Sequence, residues 1–306
     1  MKLKHKNNVR INNYGFGNRC PRRALQNATS EYYAGFSTAD QTCGRFNSFL
    51  KFCEGLNTPI KDLRNITQDM ANEYANHISL RFTSNQISLN TAHNYIASFN
   101  QSMKIVRGDR KIFISAIKHA ELPKRSFVAT ENKASDETLV DLISGPDNID
   151  TAQRILNRGF GLRFEESSKA NCAELLKEAL TSKQITISRG TKGGRKRMVP
   201  ITNPMQIKAL EKAANIQKEN SSLIDNEETY IQFSRKKYRQ NKGHKYHASR
   251  HANAQQRYLE ITGADCPLRS HKKHGKEHIN YLATQLGISI DKAKLKDREA
   301  RLVISK

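Results

Sequence analysis

The sequence predicts a mainly α-helical protein with one small antiparallel β-hairpin, divided between two domains. Three observations carry that expectation. The 306 residues leave room for two ordinary domains. Apolar residues recur at three- and four-residue spacing through most of the chain, the period of an amphipathic helix. Only one pair of short β-branched runs stands out, Ile185-Thr186-Ile187 and Met198-Val199-Pro200-Ile201, joined by a basic, glycine-containing turn.

Taken in order, residues 1–30 read as a basic arm, with Lys2, Lys4, Lys6, Arg10, Arg19, Arg22 and Arg23 and no acid through residue 23. Such an arm is either a disordered tail or a segment that follows phosphates once a nucleic acid is present. Residues 31–125 read as a helical domain. Ser37-Thr38 is placed to cap a helix burying Phe46, Phe49, Leu50 and Phe52-Cys53. Thr67 opens a second helix with Met70, Tyr74 and Ile78, and Ser88 a third with Ala92, Tyr95, Ile96, Phe99 and Met103. Residues 126–135 lose periodicity and read as a linker. A second domain then fills 136–306. It begins with a helix from Ser135 whose acidic first turn, Asp136 and Glu137, suits the positive N-terminal dipole. Further helices are expected near 149–159, 204–218, 228–239 and 246–260.

The composition narrows the class of partner. A formal charge of +23 and a pI near 9.9 exceed what solubility requires and point to a polyanion. No long apolar run, signal-like segment or lipidation motif accompanies that charge, so no membrane partner is expected. The five cysteines are scattered and odd in number, which argues against a disulfide framework and for a reducing cytoplasm.

Three stretches carry residues suited to chemistry at a phosphate: Gly161-Leu162-Arg163-Phe164-Glu165-Glu166, Thr191-Lys192-Gly193-Gly194-Arg195, and His247-Ala248-Ser249-Arg250-His251. A guanidinium such as Arg163 or Arg250 offers a rigid donor fork to two phosphate oxygens. Glu166 lies three residues after Arg163, on the same helical face, and can orient an arginine or histidine. Lys192 sits in the hairpin turn, where a lysine can reach into a groove and protonate a leaving oxygen. His247 and Arg250 share a helix face, and a histidine there can move a proton to or from an attacking hydroxyl. Each stretch alone has a plainer reading: a surface Arg–Glu pair, a basic turn, a chance His-x-x-Arg. Arg195, Lys196, Arg197, Lys236, Lys237 and Lys245 are the expected phosphate-tracking residues around them.

In order and wording the three stretches resemble the tyrosine recombinases, the phage-integrase family that cuts and rejoins DNA. Arg163 matches that family's first catalytic arginine, Glu166 the acidic residue three positions later, Lys192 the β-hairpin lysine, and His247 with Arg250 the His-x-x-Arg box. Ser249 departs from the pattern, where leucine is usual. The resemblance spans roughly 37–306 and implies a helical, SAM-like core-binding domain followed by a catalytic domain. It implies a site-specific recombinase of a mobile element acting on double-stranded DNA through a 3′-phosphotyrosyl link. A homo-tetramer on synapsed sites, no cofactor, no small-molecule substrate, and a bacterial cytoplasmic setting at the nucleoid also follow from it.

The Leu-Gly-His (or Trp) box and the tyrosine after it are not found in their usual form. Residues 297–306 resemble the helix that leads into that box in a group of proteobacterial integrases, with 264–296 as an insertion. On that reading the catalytic domain is incomplete at residue 306 and the nucleophile lies beyond it. Tyr281, 31 positions after Arg250, is the rival, with His271 or His274 as the third-box histidine. A regulator that occupies recombination sites without cutting is the alternative function, and an RNA-binding basic protein a more distant one. Cys266, His271, His274 and His278 raise the question of zinc, but the lone cysteine and the neighbouring Lys272, Lys273 and Lys276 argue against a cation, and no metal is expected.

Overall fold

The structure, a computed structural model, describes residues 11–241 and 246–305. It forms two compact units, one through Phe127 and one from Val128. Both are built chiefly of helices, and the single sheet is one antiparallel strand pair among the described residues.

Four helices make the first unit: α1 (Pro21–Tyr32), α2 (Phe36–Gly55), α3 (Gln68–Thr83) and α4 (Leu89–Arg107). Their apolar stripes meet in an aromatic centre of Phe46, Phe49, Tyr74 and Phe99, all buried. The Phe49 and Phe99 rings pack edge to face at 4.8 Å, and Phe46 stacks on Phe99 at 5.9 Å. Removing a ring of this size from a packed core costs roughly 3–5 kcal/mol. Thr67 and Ser88 cap α3 and α4 as the sequence predicts, accepting from the N–H groups of Met70 and Thr91.

Two expectations are corrected here. The predicted flexible arm over 1–30 is not an arm from residue 11 onward. Tyr14, Ala24, Leu25 and Ala28 are buried in the unit's core, and Tyr14 accepts a 2.7 Å hydrogen bond from Arg107 Nη1. The apolar face of α1 is short and flanked by arginines, so charge masks it in the sequence. Residues 1–10 of the arm lie outside the described residues. The α2 helix also begins earlier than the Ser37-Thr38 cap would place it, because the Gly35 carbonyl already accepts from Thr38 and Ala39.

The second unit runs α5 (Leu139–Ser144), α6 (Ile149–Phe160), α7 (Phe164–Ser168), α8 (Cys172–Ser182), β1 (Gln184–Ile187) and β2 (Arg197–Pro200). It continues with α9 (Pro204–Gln217), α10 (Tyr230–Gln240), α11 (Tyr246–Thr262), α12 (Pro267–Ser270), α13 (Lys276–Leu286) and α14 (Ile290–Ser305). Helix α6 is buried between α9 and α11, which explains why its Ile155, Leu156 and Phe160 are fully enclosed. The hairpin register pairs Gln184 with Pro200 and Ile187 with Arg197. Ile185 and Ile187 face the core together, as the period of two requires. The helix expected from Ser135 starts instead at Leu139, because Thr138 and Asp141 form a reciprocal capping box. Ser135 donates its N–H to the Ala248 carbonyl at 3.1 Å, which ties this approach segment to α11.

Candidate active site

The site grows from the end of α6. Gly161 closes that helix in the left-handed region, at φ +62°. A Cβ there would lie 2.6 Å from Asn253 Oδ1, and Asn253 is itself fixed by its bond to the Arg158 carbonyl. Replacing Gly161 by alanine should therefore destabilise the second unit by on the order of 2 kcal/mol, from backbone strain plus the displaced amide. Urea unfolding checks this, and unchanged stability would show that the turn is not constrained.

Two residues on, Arg163 occupies the N-cap of α7 and Glu166 its third position. Glu166 Oε2 accepts the Arg163 backbone N–H at 2.8 Å, and Oε1 accepts from Arg163 Nη1 at 2.5 Å. The carboxylate is fully buried, and two more guanidiniums converge on it. Arg197 Nη2, from the first residue of β2, donates to Oε2 at 2.8 Å, and Arg250 Nη1, from α11, stands 3.9 Å from the same oxygen. Arg197 and Arg250 also both donate to the Gly161 carbonyl.

Burial alone would raise the Glu166 carboxyl, but the Arg197 and Arg163 bonds hold it below the usual glutamate range. Burial, and then repulsion from Arg163 and Arg197, lowers the Arg250 guanidinium from its ordinary value. Three guanidiniums around one carboxylate leave an excess of two positive charges. That excess, half-screened from water, suits an anionic group whose charge increases during reaction. Beside it lies a cavity of about 90 Å³, bordered by Arg197, Arg250 and Gly161 and walled by apolar residues that include Val303 and Ile304 of α14.

The structure brings Arg163, Glu166 and Arg250 into one cluster. Lys192 is exposed on the hairpin turn, and His247 is exposed at the start of α11 with its ring against His251 at 4.7 Å. No hydrogen bond or ion pair joins either to the cluster among the described residues. Of the residues predicted to track phosphates, Arg195 and Lys196 are exposed on the turn, and Lys236 is exposed but paired with Glu228. The Lys237 ammonium lies over the Phe233 ring, and Lys245 falls outside the described residues. Arg197, predicted among the surface contacts, is turned inward to Glu166. Strand alternation is the signal that could have shown this, since Arg197 shares the more enclosed face of β2 with Val199.

Sequence reasoning also missed a clasp between the arginine and histidine segments. Phe164, next to Arg163, packs edge to face on Tyr246, next to His247, with ring centres 4.8 Å apart. Tyr246 Oη donates to Asp150 of α6 at 2.7 Å, and Asn241 Nδ2 donates to the same carboxylate oxygen at 2.6 Å. The contact fixes the first turn of α11 against α6 and α7. Tyr281, the rival nucleophile, lies partly buried within α13 against the His278 ring at 5.7 Å.

Residues 123–256, the stretch holding Arg163, Glu166, Lys192, His247 and Arg250, match the profile of the integrase family. That stretch is similar to the integrase family over a little less than half of the chain. Among solved structures it is similar to the XerH site-specific recombinase bound to a palindromic difH substrate in a post-cleavage complex. The identity is 16%, over 90% of this chain and 79% of that one, with a TM-score of 0.44. No curated protein matches it in sequence. No helix among the described residues is long and apolar enough to cross a membrane.

Proposed function

We propose that the protein is a site-specific DNA recombinase that cuts and rejoins duplex DNA through a 3′-phosphotyrosyl intermediate. The observation that carries this reading is the convergence of Arg163, Arg197 and Arg250 on the buried Glu166 within the integrase-matching segment. In attack on a phosphodiester, a tyrosine oxygen bonds to phosphorus and the 5′-oxygen leaves, so bond energy is conserved without a nucleotide cofactor. Arg163 and Arg250 stabilise charge on the non-bridging oxygens of the phosphorane. Glu166, itself fixed by Arg197, holds the Arg163 guanidinium and stands beside that of Arg250. Lys192, carried on the hairpin turn, delivers the proton to the leaving oxygen when DNA draws the turn in, and His247 assists proton transfer at the attacking hydroxyl. The first unit acts as the core-binding domain, and four protomers assemble on paired sites.

A binding titration followed by denaturing electrophoresis tests the reading. Affinity for duplex DNA should fall by about 0.9 log unit per contacted phosphate for each tenfold rise in salt. The full gene product should form a denaturant-resistant adduct with a nicked duplex. Loss of that adduct in Tyr281→Phe would assign Tyr281 as the nucleophile. Binding insensitive to salt, or preference for structured RNA, would end the recombinase reading.

A further inference from the structure

Helices α13 and α14 overlap the segment that the family resemblance implies as an insertion, and a buried polar network ties them to α11. Tyr258, on the same helix as His247 and Arg250, places its hydroxyl 2.5 Å from Asp297 Oδ1 of α14 and 2.9 Å from His278 Nε2 of α13. Arg301, one turn after Asp297, closes the set with Nε 2.8 Å from Asp297 Oδ2. Tyr258 and His278 are buried, and Cys266 and Ala300 are buried alongside.

The hydrogen-bond inventory fixes the protons. A tyrosine hydroxyl has one proton, and the short contact to a carboxylate takes it. The Tyr258 oxygen must then accept from His278, so the histidine is the tautomer protonated on Nε2. Its Nδ1 is buried and has no hydrogen-bond partner. A second proton on that ring would therefore sit unpaired in the interior.

We propose that Tyr258, His278 and Asp297 are positioning residues. Through α14 they hold Val303 and Ile304 as a wall of the cavity beside Arg197 and Arg250, and the hold fails when His278 takes a second proton. The inference deepens the recombinase reading and, for its effect on cleavage, rests on it. The groups facing His278 are Tyr258 from α11, Tyr281 from its own helix, Asp297 and Arg301 from α14, and His274 from the preceding turn. Burial lowers its pKa, and Asp297 only partly opposes that. The sign follows: neutral His278 supports the network above the ordinary histidine value of about 6.5, and the support is lost as pH falls below it.

Hydrogen exchange on the full gene product, corrected for intrinsic rates, tests the network without relying on recombination. Exchange across 290–305 should rise roughly tenfold between about pH 7.5 and pH 5.5, while α6 stays protected. His278→Gln keeps a donor toward Tyr258 but cannot titrate in this range, so it should flatten the pH dependence and retain protection at low pH. Tyr258→Phe should raise exchange in α14 at every pH and slow cleavage of a nicked duplex several-fold, with duplex affinity unchanged. PH-independent exchange in the wild-type protein would overturn the proposal, as would His278→Gln behaving like wild type. Loosened α14 with unchanged cleavage in Tyr258→Phe would also overturn the positioning role. Should Tyr258→Phe not fold, His278→Gln alone decides through its pH profile. Absence of cleavage in the wild-type protein would count against the recombinase reading, while the exchange pattern still judges the network.

Discussion

Replacing Arg250 by alanine should slow strand cleavage by the full gene product by on the order of a hundredfold or more, with little change in duplex affinity. The two effects separate for a physical reason. On the proposed reading, duplex affinity sums many phosphate contacts, of which Arg250 would supply one, and losing one costs little of the electrostatic total. Transition-state charge, by contrast, falls on the few donors aimed at one phosphorus. Arg250 is aimed by two fixed acceptors, the Gly161 carbonyl and, more distantly, Glu166, so little freedom has to be lost when the substrate arrives. Arg250→Lys should recover only part of the rate, because an ammonium cannot present a planar pair of donors. Cleavage at the wild-type rate by Arg250→Ala would remove this residue from the mechanism.

Glu166→Gln should destabilise the second unit by about 3 kcal/mol, the lower end of the range for breaking a buried ion pair. The lower end applies because the three guanidiniums keep partial access to water, whereas the carboxylate has none. An amide of the same size preserves the packing, so the loss reports charge and hydrogen bonding. The wild-type contribution also has a defined pH window. Because the folded carboxyl lies below its ordinary value, its stabilisation is present above about pH 4.3 and is lost as pH falls through the folded value. Urea unfolding at neutral and acid pH measures both effects. A loss well below 1 kcal/mol at neutral pH (roughly a surface pair's worth) would mean the cluster is not organised by this carboxylate.

Much of the fold is legible in the chain because its helices announce their own starts. Thr67 and Ser88 sit where a cap must sit, and the hairpin strands stand out by their β-branched residues. The earlier start of α2 is harder to read, since a glycine carbonyl can begin a helix without any side-chain signal. The burial of α1 is hidden for another reason: its few apolar residues gain meaning only from their packing against α2 and α4. In the site, Arg163, Glu166 and Arg250 can be picked out because each residue type fits phosphate chemistry at a recognisable spacing. Arg197 cannot be separated from its basic neighbours until a strand turns it inward. The Phe164–Tyr246 clasp and the Tyr258–His278–Asp297 network are invisible in the sequence, because both join residues brought together only by packing.

The Gly161 carbonyl has a consequence of its own. Two of the three arginines lean on main chain, which no side-chain substitution removes and no acid neutralises. Glu166 supplies the balance of charge, but the aim of Arg197 and Arg250 is partly written into the backbone at the last turn of α6. Evolution could therefore vary the carboxylate's strength, or its pairing with Arg163, without losing the direction in which the other two guanidiniums point. A change of charge at position 166 would cost stability and free Arg163, yet the helix end would still offer Arg197 and Arg250 the same acceptor.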